Sequence, residues 1–596
     1  MLLDLNPENA RAKLMKSDSN SWKKLLSVLI FFTFLFFFVN YLFIPLGSDA
    51  RVMISGGHLG ATQYGGGLSG MVKSWEMKPF GNRIIFGVLH NIATVFVSYD
   101  NKAAFEFVVR FFYVSFALIS SFFLARGISL SFGSSFYLSF FFLGLVFMGS
   151  PHLNNIQAEE SAIIFSLLAA ALLLNNRSWS SILCGVVLFF VLAIKIVTIF
   201  YVLCVLVFAA ALIFEKKLRL KQLGLTLSSF VLTSIIVTAL LSLLYPQEFI
   251  DITNTRMFQG SAGFELDKKV IFALYRYHAL FFENMLANHP LHIGGIVASA
   301  MAMVLSAIKR KPFYAVLVFI CYLFGLSGVV FQNKAFGYHY TFLVLPFIFS
   351  VWVVFHLSKE FFSRDKMYFL SAGIVGVLCL VFFSSLPRLV RIFFLAVAPF
   401  SIATILVFIL SRFLRIDLRK GLKLVTHVCC IVGLIGGFLL SSIHFTYLTF
   451  IAPQRAIADT VRLKWYGGLK EHLDLTKVER ESAKCAKKYV QSSSDPILYL
   501  DFGTVGYYLG NPSASRFQYP MPLTRGENNA RVQALPIYQD TLKQALSYNG
   551  NYVIDDNWII VDRHQGLDEM LKKNFSEHHC GTWKIYVRKV SNAEAN

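Results

Sequence analysis

Blocks of about 18–25 apolar residues alternate with short polar segments along most of this chain. A helix of that length spans the hydrocarbon core of a bilayer, so each block predicts one membrane span. The apolar run from 179 to 214 is divided at Lys195, because about 35 residues are too many for one crossing. The pattern predicts about 13 spans, at residues 25–46, 105–125, 128–148, 160–175, 179–194, 197–214, 223–245, 291–308, 313–331, 340–357, 367–386, 392–411 and 424–448.

Composition also indicates a polytopic α-helical membrane protein. The 596 residues are 56% hydrophobic and 15% charged, whereas ordinary soluble domains are about 45–50% apolar and about 25% charged. The first apolar block follows the basic segment RAKLMKSDSNSWKK and has no small-residue cleavage site after it. We therefore expect a retained first span rather than a signal peptide.

The basic residues predict the orientation of the chain in the membrane. The formal net charge is +21, but the bases cluster in short segments between apolar blocks, such as EKKLRLK and SRFLRIDLRKGLK. Cytoplasmic loops carry such an excess of lysine and arginine. The charge thus indicates topology and contact with anionic lipid rather than binding to nucleic acid. The alternation of basic connections predicts a cytoplasmic N-terminus and a C-terminus on the outer side.

Three long segments are expected on the outer side of the membrane. Two are loops of a transmembrane module at 1–450, at about 47–104 and about 246–290, and the third is a C-terminal domain at 451–596. This domain contains the strand-like runs PILYLDF, YVIDD, WIIVD and WKIYVRKV, with helical stretches such as LDEMLKKNF between them. Alternating strands and helices predict a small α/β unit.

The cysteines predict one disulfide. Six of the eight cysteines fall in predicted spans, and only Cys485 and Cys580 lie in the C-terminal domain. A pair of cysteines in an oxidising compartment is expected to form a disulfide rather than a metal site.

Acidic residues near the outer ends of spans are candidates for catalysis, because ionisable groups at a membrane are costly. Asp49 follows the first span in YLFIPLGSDARVM, where a carboxylate next to lipid can act as a general base. The alternative is that Asp49 caps a loop helix. Glu159 and Glu160 enter the fourth span together, and they either face a cavity or stabilise the helix N-terminus.

Basic residues on the outer side run against the topology rule, and a bound phosphate would give them a partner. They are Arg83, Lys195 and the segment FQNKAFGYHY, which carries Lys334, Tyr338 and His339. The alternative for Lys195 and Lys334 is that their side chains extend to lipid headgroups.

The order of these segments resembles the GT-C superfamily of membrane glycosyltransferases, which use polyprenyl-phosphate sugars. The segments are a first outer loop with SDA, then KPFGNRIIFG, a second outer loop with acids, LAIK, QNKAFGYH and an outer C-terminal domain. The arrangement is similar to the lipid A aminoarabinose transferases and the bacterial oligosaccharyltransferases. The resemblance implies that Asp49 activates the acceptor and that Lys334, His339 and Arg83 hold the carrier phosphate.

The chain departs from the family pattern at three places. Ala335 replaces a commoner glycine, Asp49 is followed by Ala50 and Arg51 where many members have a second acid, and AEE stands where some relatives have Arg-Glu-His. These departures leave open whether a divalent metal takes part, and no clear ligand set for one is present in the sequence.

The expected function is an inverting glycosyltransferase at the outer face of a bacterial inner membrane. The resemblance implies a polyprenyl-phosphate sugar as donor and a glycan, lipid or protein as acceptor. Two alternatives stay open: a glycan polymerase or ligase of the same architecture, and a lipid or polysaccharide transporter. Internal repeats would favour a transporter, and the sequence has none at a fixed period.

Overall fold

The structure, a computed structural model, is mostly helical. It describes residues 28–149, 156–250, 290–331, 337–358 and 467–589, with short gaps at 29–30, 33, 36–37, 40, 44, 75–78, 134–135, 502, 516–522, 524–529 and 557–564. The helices in these ranges are α1 (Ser48–Thr62), α2 (Gly67–Lys73), α3 (Phe80–Phe96), α4 (Lys102–Phe132), α5 (Phe136–Gly149), α6 (Ala158–Leu174), α7 (Ser178–Ile194), α8 (Ile199–Phe214), α9 (Leu220–Leu244), α10 (Pro290–Ile308), α11 (Pro312–Phe331), α12 (Val344–Ser358), α13 (Gly467–Ala486), α14 (Thr504–Leu509), α15 (Ala530–Gln533), α16 (Pro536–Leu546) and α17 (Gln565–Asn574).

Several of these helices indicate a membrane-embedded protein. Among the described residues, five helical segments are long and apolar enough to cross a membrane: Lys102–Phe132, Ile196–Phe214, Leu220–Leu244, Pro312–Phe331 and His339–Leu357. The predicted count of 13 spans stays a prediction, because the segments 367–386, 392–411 and 424–448 lie outside the described residues.

The predicted division at Lys195 is confirmed. Helix α7 ends at Ile194, and Lys195 has an extended backbone with φ −159° and ψ 131°. A 3₁₀ turn, Ile196–Thr198, then leads into α8. The apolar run therefore contains two separate helices, and the break turns the lysine out of the helical path.

The predicted boundary between the second and third spans is wrong. Instead of ending near Arg126, helix α4 continues to Phe132. Arg126 does not stop the helix, since arginine is a good helix former. The stop is Gly133, whose φ of +65° is the left-handed conformation that glycine adopts at helix ends.

The predicted loop at 47–104 is largely helical, since it contains α1, α2 and α3. Helices α1 and α3 approach closely at two glycines, and a Cβ atom at Gly57 would lie 3.0 Å from the Cα of Gly87. Most of the second predicted loop, 246–290, lies outside the described residues.

Residues after α13 form a four-stranded sheet with helices around it. The strands are β1 (Ile497–Leu500), β2 (Tyr552–Asp555), β3 (Phe575–Cys580) and β4 (Trp583–Arg588). Their order is β1-β2-β4-β3, with β1 and β2 parallel and the other pairs antiparallel. We call residues 467–589 the α/β unit. The bounds 451–596 stay a prediction, because residues 451–466 lie outside the described residues.

Three of the four strand-like runs contain strands: β1 in PILYLDF, β2 in YVIDD and β4 in WKIYVRKV. The run WIIVD lies outside the described residues. Sequence reasoning missed β3, because FSEHHC is mostly polar and only its two end residues, Phe575 and Cys580, are fully buried.

The structure contains the disulfide that the sequence predicts. It joins Cys485, near the end of α13, to Cys580, at the end of β3, with 5.4 Å between the Cα atoms. The bond therefore holds α13 against the edge strand of the sheet.

Candidate functional site

Two adjacent carboxylates lie at the start of α6. Glu159 and Glu160 are in the first turn of this helix and are 1% and 0% exposed. The partial positive charge of a helix N-terminus stabilises carboxylates there. Burial to this degree goes beyond what a simple end-of-helix role requires, because an ionised group loses its hydration inside a protein. Their burial keeps the two carboxylates as candidates for a functional site.

Lys195 supplies the positive partner of Glu159. Its ammonium group donates a hydrogen bond to Glu159 Oε1 and forms an ion pair with it. The lysine side chain is 23% exposed and the glutamate side chain 1%. Lys195 therefore has a partner inside the protein, and the extended backbone at the α7 break directs it there. Two residues that the sequence singles out separately thus meet.

The start of α3 packs against the end of α7, close in sequence to Lys195. A Cβ atom at Gly81 would be 2.7 Å from the carbonyl oxygen of Ala193, two residues before Lys195. Arg83 follows Gly81 in the first turn of α3 and is 4% exposed. Its guanidinium donates to the backbone oxygen of Val72, so part of its bonding capacity serves the packing of α2 on α3.

A 3₁₀ turn, Gly337–Leu343, brings the aromatic segment to the same place. His339 in this turn is buried. The ring of Phe342 stacks on Tyr201 of α8 at 4.5 Å between centroids, and Tyr201 interacts electrostatically with Glu159 and Glu160. The 3₁₀ turn and the two carboxylates therefore approach the same side chain.

The side chains of two predicted phosphate-binding residues lie outside the described part of the structure. Lys334 lies outside the described residues, and only the backbone of Tyr338 is described.

Asp49 is half-buried in the first turn of α1. The N-cap of this helix is Gly47, and Asp49 is an acid in its first turn. A carboxylate there stabilises the helix N-terminus, so the alternative structural role of Asp49 stays open beside the catalytic one. Arg51, two residues further on, points into the protein and is 1% exposed.

Sequence reasoning missed a buried ionic network around Arg51. Arg51 Nη1 donates to Glu479 Oε2 at 2.9 Å, and Arg51 Nε lies 3.5 Å from Glu106 Oε1. The hydroxyl of Tyr507 donates to Glu106 and that of Tyr508 to Glu479, each at 3.0 Å. The network joins α1 and α4 to helices α13 and α14 of the α/β unit.

Charge interactions keep the Arg51 guanidinium ionised in this buried place. Burial alone lowers the pKa of Arg51, but the opposite charge of Glu106, together with Tyr508 and Glu479, more than reverses that effect and raises the pKa overall. A buried cation is stable only with such partners. The arginine therefore acts as a permanent charge in the contact between the helices and the α/β unit.

Arg110 connects the network to the carboxylates of α6. It is fully buried one turn after Glu106, and its guanidinium donates to the carbonyl oxygen of Pro45 at 2.6 Å. It interacts electrostatically with both Glu106 and Glu160. Charged side chains thus extend from Lys195 to the α/β unit. Glu106 and Arg110 stand four residues apart in an apolar segment, which sets both on one helix face, and this spacing is the signal that could have revealed them.

Within the residues that the structure describes, no group of three or more histidine, cysteine or acidic side chains is arranged to hold a metal ion.

A comparison of this chain with protein-family models, with curated proteins and with solved structures found no match.

Proposed function

We propose that this protein is an integral membrane glycosyltransferase. It moves a sugar from a polyprenyl-phosphate donor to a cell-envelope acceptor on the outer face of a bacterial inner membrane, with inversion at the anomeric carbon. The observation that carries the proposal is the Lys195–Glu159 ion pair at the break between two helices, the first of which packs against the start of α3. The order of segments that resembles the GT-C superfamily supports it from the sequence.

The ion pair supports this function because burying its two charges costs desolvation free energy. A charged lysine and a buried glutamate within apolar helices each lose hydration, and their attraction offsets that loss only in part. Such groups in a membrane protein mark substrate or ion pathways by default. The donor phosphodiester carries one negative charge, and the departing polyprenyl phosphate gains a second, so a preformed lysine and an arginine match the charge that develops.

The reaction needs one base and one group of cations. In the proposal, the Asp49 carboxylate takes the proton of an acceptor hydroxyl, and the hydroxyl oxygen forms a bond with the anomeric carbon. The bond between that carbon and the phosphate oxygen breaks, and its electron pair leaves with the phosphate. Lys195, Arg83, Lys334 and His339 stabilise the charge that develops on the leaving group.

Glu159 and Glu160 have a supporting role in this scheme. Glu159 pairs with Lys195 and fixes the position of its ammonium group. Glu160 interacts electrostatically with Arg110 and with Tyr113, so it joins the site to the Arg51 network. A carboxylate next to a phosphate would oppose binding unless cations intervene, which is why Lys195 and Arg110 are needed.

The distribution of bases supports the orientation in the proposal. The connections between α8 and α9 and between α10 and α11 carry Lys216, Lys217, Arg219, Lys309, Arg310 and Lys311. They lie at the far ends of α8 and α11 from the 3₁₀ turns beside the site. Positive loops remain cytoplasmic, so the site and the α/β unit are assigned to the outer side.

The test is sugar transfer by membranes that contain the protein. Membranes are incubated with a radiolabelled polyprenyl-phosphate sugar and an uncoupler, and label in the acceptor fraction is measured. We expect transfer by the wild type and none by Asp49→Asn. The matched control is Asp540→Asn, which changes an exposed acid in α16 and should leave transfer unchanged.

Three outcomes would count against the proposal. Full transfer by Asp49→Asn would remove the proposed base. Movement of unaltered lipid or polysaccharide that stops with the uncoupler would favour a transporter. Transfer of a whole glycan from its lipid carrier would favour a polymerase or ligase of the same architecture.

A further inference from the structure

Two histidines form a hydrogen-bonded pair where the first-loop helices meet the α/β unit. His58 of α1 and His90 of α3 have 3.2 Å between Nδ1 of the first and Nε2 of the second. The other ring nitrogen of His58 lies 3.2 Å from the carbonyl oxygen of Gly510, directly after α14. The other nitrogen of His90 lies 3.1 Å from the side-chain oxygen of Asn91. We call His58 and His90 the histidine pair.

Aromatic rings and a lysine enclose the histidine pair. The His58 ring stacks on Tyr99 at 4.0 Å between centroids and 8° between planes. Lys102 Nζ lies 3.0 Å from the centroid of Tyr99 and 4.7 Å from that of Tyr507. The Tyr99 hydroxyl donates to the carbonyl oxygen of Tyr507 in α14. The pair is therefore part of the surface on which the α/β unit rests.

The hydrogen bonds of the histidine pair limit how many protons its two rings can hold. The chain from Asn91 through His90 and His58 to Gly510 has three contacts, and each needs one hydrogen. Two neutral imidazoles carry two N–H groups, and the Asn91 amide supplies the third if it presents its nitrogen. If Asn91 instead presents its oxygen, which can only accept, one added proton on His90 supplies the third hydrogen. A second added proton puts two N–H groups face to face across the 3.2 Å contact.

The charged groups around the pair oppose added protons. Lys102 faces it from α4 and acts as a like charge on both histidines. Asp100, from the turn before α4, attracts a proton on His58, but it forms an ion pair with Lys487 of the α/β unit and is 79% exposed. Further groups on the same contact are Arg51 from α1, Glu106 from α4, Glu479 from α13, and Tyr507 and Tyr508 from α14.

The pKa values follow from these surroundings. Burial lowers the pKa of His58 to about 4, and the neighbouring His90 and Lys102 lower it further against the opposing contact with Gly510. Burial also lowers the pKa of His90 to about 4, opposed by the bond to Asn91 and assisted by Lys102. Both rings are therefore neutral at neutral pH.

We propose that the histidine pair is an acid-sensitive latch, which holds the α/β unit on α1 and α3 when neutral and releases it when doubly protonated.

The sign of the pH dependence follows from linkage. A histidine whose pKa is lower when docked than when released binds more protons in the released state, so acid favours release. The histidine pair makes its full contribution to the free energy of docking above the ordinary histidine pKa of about 6.5. It falls as the pH drops toward about 4, the value for both docked rings. Two histidines change the docking equilibrium by at most about 100-fold per pH unit in that window.

The test is hydrogen–deuterium exchange of the full-length protein in lipid nanodiscs at pH 7.5, 6.5, 5.5 and 4.5. Labelling times are adjusted so that intrinsic exchange is equal at each pH. In the wild type we expect peptides of α14 and α1 to lose protection below about pH 6.5. In His58→Gln/His90→Gln, protection should be the same at every pH. His579→Gln, at an exposed histidine of β3, should behave as the wild type.

Two results would overturn the latch. One is constant protection in the wild type from pH 7.5 to 4.5. The other is acid release that persists in the double variant, which would assign it to groups other than the histidine pair. If the double variant fails to dock at pH 7.5, the same exchange experiment on Lys102→Gln tests the latch instead. Without the lysine charge the docked pKa values rise toward 6.5, so release must move to lower pH, and an unchanged midpoint would refute the proposal.

Discussion

Arg51 and Glu479 form a buried ion pair with 2.9 Å between Nη1 and Oε2, although 428 residues separate them in sequence. The pair connects helix α1, directly after the first predicted span, to helix α13 of the α/β unit. Because Asp49 lies two residues before Arg51 on the same helix, the position of the proposed base depends on how the α/β unit is docked.

We expect Arg51→Met to destabilise the protein strongly. The change leaves Glu479 and Glu106 buried without their cation, and removing one partner of a buried pair typically costs about 3–5 kcal/mol. The free energy of unfolding, measured by denaturant titration in detergent, should fall by about that amount.

The matched control for Arg51→Met is Lys487→Met. Lys487 pairs with Asp100 at 3.6 Å, but the two side chains are 50% and 79% exposed. Exposed ion pairs contribute little, at most about 1 kcal/mol. Equal losses in the two variants would contradict the view that burial determines the value of the Arg51 network.

The Cys485–Cys580 bond is expected to stabilise the α/β unit. It closes a loop with a sequence separation of 95, and the loop-entropy model assigns such a bond about 4–5 kcal/mol before any strain. Cys485→Ser/Cys580→Ser should lower the melting temperature, and a reducing agent should have the same effect on the wild type.

The double serine variant also provides the control for the disulfide. Its melting temperature should not respond to the reducing agent, since Cys184, Cys204 and Cys321 are free cysteines in the described residues. Non-reducing peptide mapping that recovers Cys485 and Cys580 as free thiols from an oxidising compartment would refute the prediction.

The parts of the fold that could be predicted depend on local sequence signals. The break at Lys195 was predictable because a charge interrupts an apolar run that is too long for one crossing. Topology rules weigh bases and predict that the second span ends at residue 125, before Arg126, whereas the helix follows backbone preference and ends at Phe132, before Gly133. Strand β3 was missed because its side chains are mostly polar.

The sequence singles out candidate residues but not the contacts between them. Glu159 and Lys195 were both singled out by their cost in a membrane, yet only the structure pairs them. Partners that lie hundreds of residues apart, such as Arg51 and Glu479, leave no local pattern in a single sequence. Glu106 and Arg110 had a local signal in their spacing, and the rule of intramembrane charges applies to them directly.

The Lys195–Glu159 pair should affect transfer more than folding. Lys195→Met removes a cation from the proposed leaving-group site, and loss of one such donor typically lowers the rate by about 10²–10³. Glu159→Gln should reduce transfer less, because the lysine charge remains. The measurement is the transfer assay with labelled polyprenyl-phosphate sugar, at equal amounts of folded protein.

A double variant separates a structural role from a catalytic role of this pair. If the pair only stabilises the fold, Lys195→Met/Glu159→Gln should regain most of the transfer lost in Lys195→Met, because no unpaired buried charge remains. If Lys195 acts on the substrate, the double variant should stay as low as Lys195→Met. Recovery in the double variant would remove Lys195 from the proposed site.

The last prediction concerns the approach of α3 to α7 at Gly81. A Cβ atom there would lie 2.7 Å from both the carbonyl carbon and the carbonyl oxygen of Ala193, and backbone atoms cannot turn aside as a side chain can. Gly81→Ala must therefore push the two helices apart. Overpacking of this kind costs about 1–3 kcal/mol. It also moves Arg83 and Lys195, each two residues from the contact, away from one another.

Gly224→Ala is the matched control, since Gly224 also lies within a helix, α9, and a Cβ atom there meets nothing within 4 Å. Alanine in a helix interior is more favourable than glycine by up to about 1 kcal/mol, so this variant should be as stable as the wild type or more so. For Gly81→Ala we expect transfer to fall by about 10², because a displacement of about 1 Å in a reacting group has that effect. The melting temperature and the transfer rate of both variants check the prediction. Normal transfer by Gly81→Ala would mean that the spacing of α3 and α7, and with it the alignment of Arg83 and Lys195, does not matter for the reaction.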